Sequence, residues 1–307
     1  MRTNPHPVTL RQLQYAVAVA DLGSFRKAAD ACHVAQPSLS SQLAQLEQQL
    51  GIVLFERRRR GTLVTAAGQS VLTQMRAVLT AADDLVDAAR AAGDPLAGEL
   101  ELGVIPTVSP YVLPLLVGPV RDALPRLSIR WVEDKTPNLR DALAAGRLDG
   151  ALLALEADLG DVEAQVVAKD RFLLATTPDH PLARVKRPVR LADLADAPVL
   201  LLDDGHCLRD QALALCTTAK AKTLELRATS MATLIQMVAS GLGVTLVPEL
   251  AAPVENRLGG LVLRRFAAPE PHRTIGLVWR RHNPRAETLR TMARVMARAL
   301  KPQLAAG

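Results

Sequence analysis

Aromatic side chains make up only 3% of this chain, so its cores must be built from aliphatic residues. Long apolar runs are missing too. No stretch of eighteen or more apolar residues occurs, and no membrane span is expected. Met1 to Pro7 lack the apolar centre of a signal peptide, which places the expected location in the cytoplasm. Cysteine is scarce. Three cysteines in 307 residues do not make a disulfide scaffold, and a disulfide formed in a reducing cytoplasm would be transient or sensory. There is no GxGxxG, no P-loop and no CxxC, so neither nucleotide binding nor a dithiol enzyme finds support.

What is present is ample apolar material, 49% of the residues, in a length that suggests two or three domains. The net charge of +6 is unevenly placed. Residues 1–61 carry eight Arg or Lys against four acids, and the remainder nearly balances. A compact basic head points to a polyanion such as nucleic acid, although a solvated basic surface would have the same composition.

Leu10, Leu13, Val17 and Ala20 repeat at helical spacing, and Gly23 ends that helix. Ser24 can cap a second helix from Phe25 to about Cys32, where the Cys32 thiol reads as core packing. Pro37 suits the first turn of a third helix, which buries Leu39, Leu43, Leu46 and Leu50 and stops at Gly51. Its other face offers Ser38, Ser41, Gln42 and Gln45, short or amide side chains suited to base edges in a major groove. Phe55 to Gly61, with four consecutive arginines, reads as a basic hairpin able to hold phosphates.

Ser24 to Asp30, Ala35 to Ser40 and Leu46 to Gly51 together resemble the winged helix-turn-helix of the LysR-type transcriptional regulators. The likeness runs without gaps from about Val8 to Thr65. It implies that Gln36, Pro37, Ser38, Ser41 and Gln42 face double-stranded promoter DNA, with Arg57 in the wing. A DNA-binding domain is therefore expected over 8–65. Over 66–93, Leu72, Met75, Leu79, Ala82, Val86 and Ala89 form a seam of nearly three heptads. In a chain with such a head, this resembles the family's dimerisation linker, which implies a homodimer reading a two-fold symmetric site.

After Gly93-Asp94-Pro95, strand-like and helix-like stretches alternate, predicting an α/β region with mostly parallel sheets over 94–307. The family resemblance implies a periplasmic-binding-protein-like pair of Rossmann-like subdomains. The first would take about 98–170 and 275–307, the second about 171–274.

Cys207 and Cys216 lie in one helical stretch. Nine residues separate them by about 13.5 Å along a helix and place them on opposite faces. A disulfide needs α-carbons within about 7 Å, so pairing would break the helix. Cys207 falls in the first turn, where amide groups and the helix dipole favour a thiolate, and His206 and Arg209 could add positive charge. That chemistry makes Cys207 the attacking thiol and Cys216 the resolving one. Ordinary core packing suits an anonymous pair as well. A zinc site from His206, Cys207 and Cys216 matches no compact ligand spacing.

Leu201 to Ala212 with Cys216 closely resembles the redox segment of the peroxide-sensing regulators within the LysR family. Gly103 to Thr107, Arg227 to Ser230 and Arg273 to Val278 agree with it. The resemblance implies a reversible Cys207–Cys216 disulfide, with Thr107 and Thr136 orienting hydrogen peroxide and His206, Arg209 and Arg273 around the thiolate. It further implies a homotetramer, contact with RNA polymerase, no cofactor and no metal, and a regulator rather than an enzyme. The rival is a LysR regulator whose cleft binds a small organic effector while the cysteines remain structural. Met231 to Gln236 is less charged than the family pattern, and the four-arginine wing departs from it.

Overall fold

The computed structural model describes residues 6–58, 61–195 and 197–305, apart from the side chains of residues 57, 90–92, 225–227 and 305. It divides into two compact units, Met1–Ala89 and Arg90–Gly307.

The first unit holds α1 (Leu10–Leu22), α2 (Phe25–Ala31), α3 (Gln36–Leu50), the strands β1 (Phe55–Arg58) and β2 (Gly61–Val64), and most of α4 (Ala66–Gly93). Thr9 caps α1 by a capping box: its hydroxyl accepts from the Gln12 amide, and Gln12 Oε1 accepts from the Thr9 amide. Gly23 ends α1 in the left-handed region at φ 60°, where glycine alone carries no Cβ penalty. Glu47 fixes the entry to the wing, since its Oε1 accepts from the Leu54 and Phe55 amides at 2.6 and 3.2 Å. The hairpin runs in register from Phe55↔Val64 to Arg58↔Gly61. Leu13, Val19, Ala28, Leu39, Leu43 and Leu46 form the core with Leu54 of the wing approach and Leu72 and Met75 of α4. Along α4 the expected seam then emerges from cover: Leu79 and Ala82 are half-buried, Val86 and Ala89 exposed.

The second unit comprises β3 (Gly98–Val104), α5 (Ser109–Ala123), β4 (Leu127–Glu133), α6 (Thr136–Ala144), β5 (Gly150–Ala154), β6 (Val162–Thr176), β7 (Pro198–Leu202), α7 (Cys207–Ala219), β8 (Lys222–Ala228), α8 (Met231–Ala239), β9 (Thr245–Pro248), α9 (Ala252–Glu255), β10 (Val262–Arg265), β11 (His272–Arg280) and α10 (Ala286–Ala305). β3 lies between β4 and β5 and is parallel to both. β7 and β8 also pair in parallel, and β7 reaches Val244, just before β9, through two backbone hydrogen bonds. The strands between these groups are antiparallel: β5 with β11, β11 with β6, and β6 with β9 and β10. The expectation of mostly parallel sheets is corrected by this. β11, reached from the far end of the chain, enters between β5 and β6 antiparallel to both, so those two strands run the same way without pairing with each other.

β6 changes partner along its length. Residues 162–171 pair with β11, and residues 172–176 pair with β9 and β10. The later segment, Phe-Leu-Leu-Ala from Phe172, is an apolar run that reads as a strand from sequence. The earlier one is rich in polar residues and owes its strand conformation to β11 beside it.

Candidate redox and DNA-facing sites

α7 carries two stripes. Leu208, Ala212, Cys216 and Ala219 recur at helical spacing and are buried. Cys207, Asp210, Gln211 and Ala214 lie on the other side and line a cleft of about 710 Å³, with Glu156, Phe172 and Pro271 among the facing residues. Nine steps of about 100° place Cys207 and Cys216 on opposite sides. Both thiols are free, and α7 runs intact between them. Both are also buried, Cys207 with 6% and Cys216 with 1% of its surface exposed.

Cys207 opens α7, with His206 as the N-cap residue. Burial pushes the Cys207 thiol above the ordinary cysteine value. The charge of Arg273, the Thr136 hydroxyl and the Leu208 amide act in the opposite direction and are outweighed. The pull toward a thiolate expected from helix position is thus present, in the Leu208 amide, but smaller than the effect of burial. Burial pushes the Cys216 thiol upward as well. His206 is not the expected cation. Burial first, and the Lys135 charge second, hold its imidazole below the ordinary histidine range. Its Nε2 is buried without a hydrogen-bond partner.

Arg273 is wholly buried on β11 and faces Asp170 of β6 as its direct cross-strand partner. Its Nε donates to Asp170 Oδ2 at 3.0 Å, and Nη2 lies 2.9 Å from the same oxygen. Nη1 donates to Thr107 Oγ1 and Nη2 to the Thr107 carbonyl, both at 3.0 Å. The other Asp170 oxygen accepts from the Leu250 amide at 3.0 Å. One guanidinium thus fastens the loop after β3 to the two long strands.

Thr136 begins α6 and is buried. Its hydroxyl makes no complete hydrogen bond, yet it sits close enough to favour the Cys207 thiolate. Lys135, just before it, donates from Nζ to the Asp204 carbonyl at 2.7 Å, across the turn that leads into α7. Arg209 turns away from the predicted role. Its Nη1 donates to the Leu202 carbonyl at 2.8 Å, and its Nε pairs with Asp204 at 2.9 Å.

Arg273 and Thr136 therefore act on Cys207, and Thr107 is tied to Arg273, whereas Cys216 lies on the opposite side of α7 and Arg209 braces the loop. Sequence reading missed Asp170, whose partner lies 103 residues away. It also missed Glu156, which accepts from Gln211 Nε2 at 2.9 Å and from the Thr274 amide at 2.6 Å. Among the described residues, no group of three or more His, Cys, Asp or Glu could hold a metal ion.

In the first unit, Gln36, Pro37, Ser38 and Ser41 are exposed and Gln42 is half-buried, all on α3. The Arg57 side chain, and Arg59 and Arg60 entirely, lie outside the described residues. No helix among the described residues is long and apolar enough to cross a membrane.

A helix-turn-helix head with a wing, a long helix and an α/β region together make the architecture of a transcription regulator. Residues 10–69 match the model of the bacterial regulatory helix-turn-helix protein, lysR family, and residues 93–301 match the LysR substrate binding domain, so the chain belongs to the LysR family of transcription regulators. Relatives within that family include proteins named for peroxide regulation. A protein named "Probable hydrogen peroxide-inducible genes activator" from Mycobacterium avium is 46% identical over 247 residues, which cover 80% of this chain and 79% of the relative. Full-length OxyR of Pseudomonas aeruginosa, a cysteine-to-aspartate variant, superposes with a TM-score of 0.77 at 34% identity, covering 95% of each chain. A cysteine-to-serine mutant of Corynebacterium glutamicum OxyR with hydrogen peroxide bound gives 0.67 at 37% identity, covering 98% of this chain and 95% of that one.

Proposed function

We infer that this protein is a transcription regulator that responds to hydrogen peroxide through Cys207. The observation that carries the reading is the setting of that thiol. It is buried at the head of a helix, beside Thr136 and within the field of Arg273, while α7 holds it away from the only other cysteine of its unit.

In the first step the Cys207 thiolate attacks one peroxide oxygen. An S–O bond forms, the O–O bond breaks, and the departing hydroxide takes a proton to leave as water. Sulfur is oxidised to the sulfenic acid and peroxide is reduced. Thr107 and Thr136 are the donors we assign to peroxide orientation and to the leaving oxygen. In the second step the Cys216 sulfur attacks the sulfenic sulfur, an S–S bond forms, and a second water departs. The helix between the two thiols unwinds before that bond can close. His206 enters these steps neutral, and Arg209 serves as a brace of the preceding turn.

The rearranged second half, about 171–274, then moves against the first, about 98–170 and 275–307, and changes how the 8–65 heads sit on promoter DNA. α4 over 66–93 joins two chains, since its Leu85 and Val86 are 71% and 49% exposed. We place Gln36, Pro37, Ser38, Ser41, Gln42 and Arg57 on DNA, two dimers in a homotetramer, and RNA polymerase as the downstream contact, in the cytoplasm.

Non-reducing mass spectrometry after peroxide treatment tests the reading. A Cys207–Cys216 linkage is expected, and its absence overturns the proposal. Cys207→Ser should keep DNA binding and lose the peroxide response. The cleft favours one rival, a small organic effector bound against α7. An intact response in Cys207→Ser together with calorimetric binding of a metabolite would establish that rival instead.

A further inference from the structure

We propose that Asp170 is a positioning residue for peroxide reduction, one that holds Arg273 in place and masks part of its charge from Cys207. The inference rests on Cys207 being the peroxide-reactive thiol.

The geometry is set by strand register. Asp170 and Arg273 are direct partners on adjacent antiparallel strands, and both are fully buried. They sit where β6 gives up β11 and takes β9 and β10. Asp170 uses one oxygen on Arg273 and the other on the Leu250 amide, just beyond β9. Its carboxylate is therefore fixed from two sides. With its Nε and Nη2 held by Asp170, the guanidinium can present Nη1 to the Thr107 hydroxyl. Since Thr107 Oγ1 accepts from Arg273, its own hydrogen is free to be donated elsewhere, the arrangement a leaving oxygen requires.

The charge argument is separate. Arg273 is the cation whose field favours the Cys207 thiolate. A carboxylate at 2.9 Å from the guanidinium cancels part of that field at the sulfur. The other groups that face the thiol are Asp210 on α7 and Thr136 on α6, while Lys135 and Asp203 act on neighbouring His206. Next to the pair, Arg171 is itself engaged by Glu249 and Glu270 and offers Asp170 no replacement. Asp170 thus has two effects of opposite sign. It orients Thr107, which speeds the reaction, and it dampens the cation, which keeps the resting thiol protonated.

The test uses the reduced full-length protein. The rate of Cys207 oxidation by hydrogen peroxide is followed from pH 5.5 to 9.5, by quenching and mass spectrometry of the trapped sulfenic acid. Asp170→Asn keeps the shape and removes the charge. Its rise of rate with pH should move to lower pH by about one unit, since exposing the cation favours thiolate, and its plateau should fall. A merely structural carboxylate would lower the rate without moving the profile, and an unmoved profile overturns the proposal. Asp170→Glu keeps the charge and displaces it. Here the midpoint should stay and the plateau fall, and a wild-type plateau counts against positioning. If Asp170→Asn does not fold, the double variant Asp170→Asn/Arg273→Gln, neutral as a pair, should show a midpoint at or above the wild-type one. A midpoint below it refutes the masking. Failure of the underlying reading looks different, because wild-type Cys207 would then fail to react at any pH.

Discussion

At the scale of single residues, the centre is dominated by burial. Arg273 and Asp170 are both at 0% exposure, so neither charge has water to fall back on. Removing one partner strands the other. Arg273→Met should cost about 3–5 kcal/mol in denaturant unfolding, and the paired change Arg273→Met/Asp170→Leu should recover most of it. Equal losses in the single and double variants would contradict this account. Burial also shapes the pH dependence. The Cys207 and Cys216 thiols are raised in the folded state, so native protein retains protons there that the unfolded chain has lost. Their contribution is complete below about pH 8.5 and is lost as pH rises toward the folded values. His206 is lowered by burial, so the unfolded chain binds the extra proton and stability falls as pH drops below about 6.5. Chemical denaturation from pH 5 to 10 should therefore give a plateau between these limits. Cys207→Ser should flatten the alkaline side, and an unchanged alkaline slope would assign that loss to other groups.

At the scale of elements, α7 matters most. The opposite placement of its two thiols was legible in the sequence, and the buried residues Leu208, Ala212 and Ala219 account for the inward-facing Cys216. The protonation state of Cys207 was not legible. Helix position favours a thiolate, as do Arg273 and Thr136, but the burial of the sulfur outweighs all three, and that burial is created by packing between segments far apart in sequence. If α7 must open for the disulfide, its local stability sets the rate of that step. Ala214→Gly, on the cleft stripe, should weaken the helix by about 1 kcal/mol and speed disulfide closure roughly fivefold, with sulfenic acid formation unchanged. Rapid-quench mass spectrometry separates the two steps. Equal closure rates would mean that the helix opens for some other reason. The same contrast explains the strands. β5 and β7 announce themselves as aliphatic runs and β3 by alternation, whereas half of the first ten residues of β6 are polar, and β10 is only four residues long.

At the scale of the molecule, the basic head, the long helix and the α/β region were all visible in the sequence, because each has its own periodicity or composition. The strand order was not, since β6 and β11 meet across about a hundred residues. α4 leaves Leu85 and Val86 uncovered on this chain. A double change, Leu85→Glu/Val86→Glu, should convert dimers or larger assemblies to monomers in sedimentation and weaken operator binding far more than α3 substitutions such as Ser38→Ala. Wild-type assembly by that variant would remove α4 from the interface. A last consequence follows from the two stripes of α7. One thiol faces the cleft and the other the core, so under the proposed Cys207–Cys216 pairing the response would have two clocks. The reactivity of Cys207 determines how little oxidant is noticed, and the opening of the helix determines how long the signal must persist before it is recorded. A brief pulse that reductant clears before α7 opens leaves no disulfide, while sustained exposure does. Sensitivity and delay can then be tuned by different residues on one thirteen-residue helix.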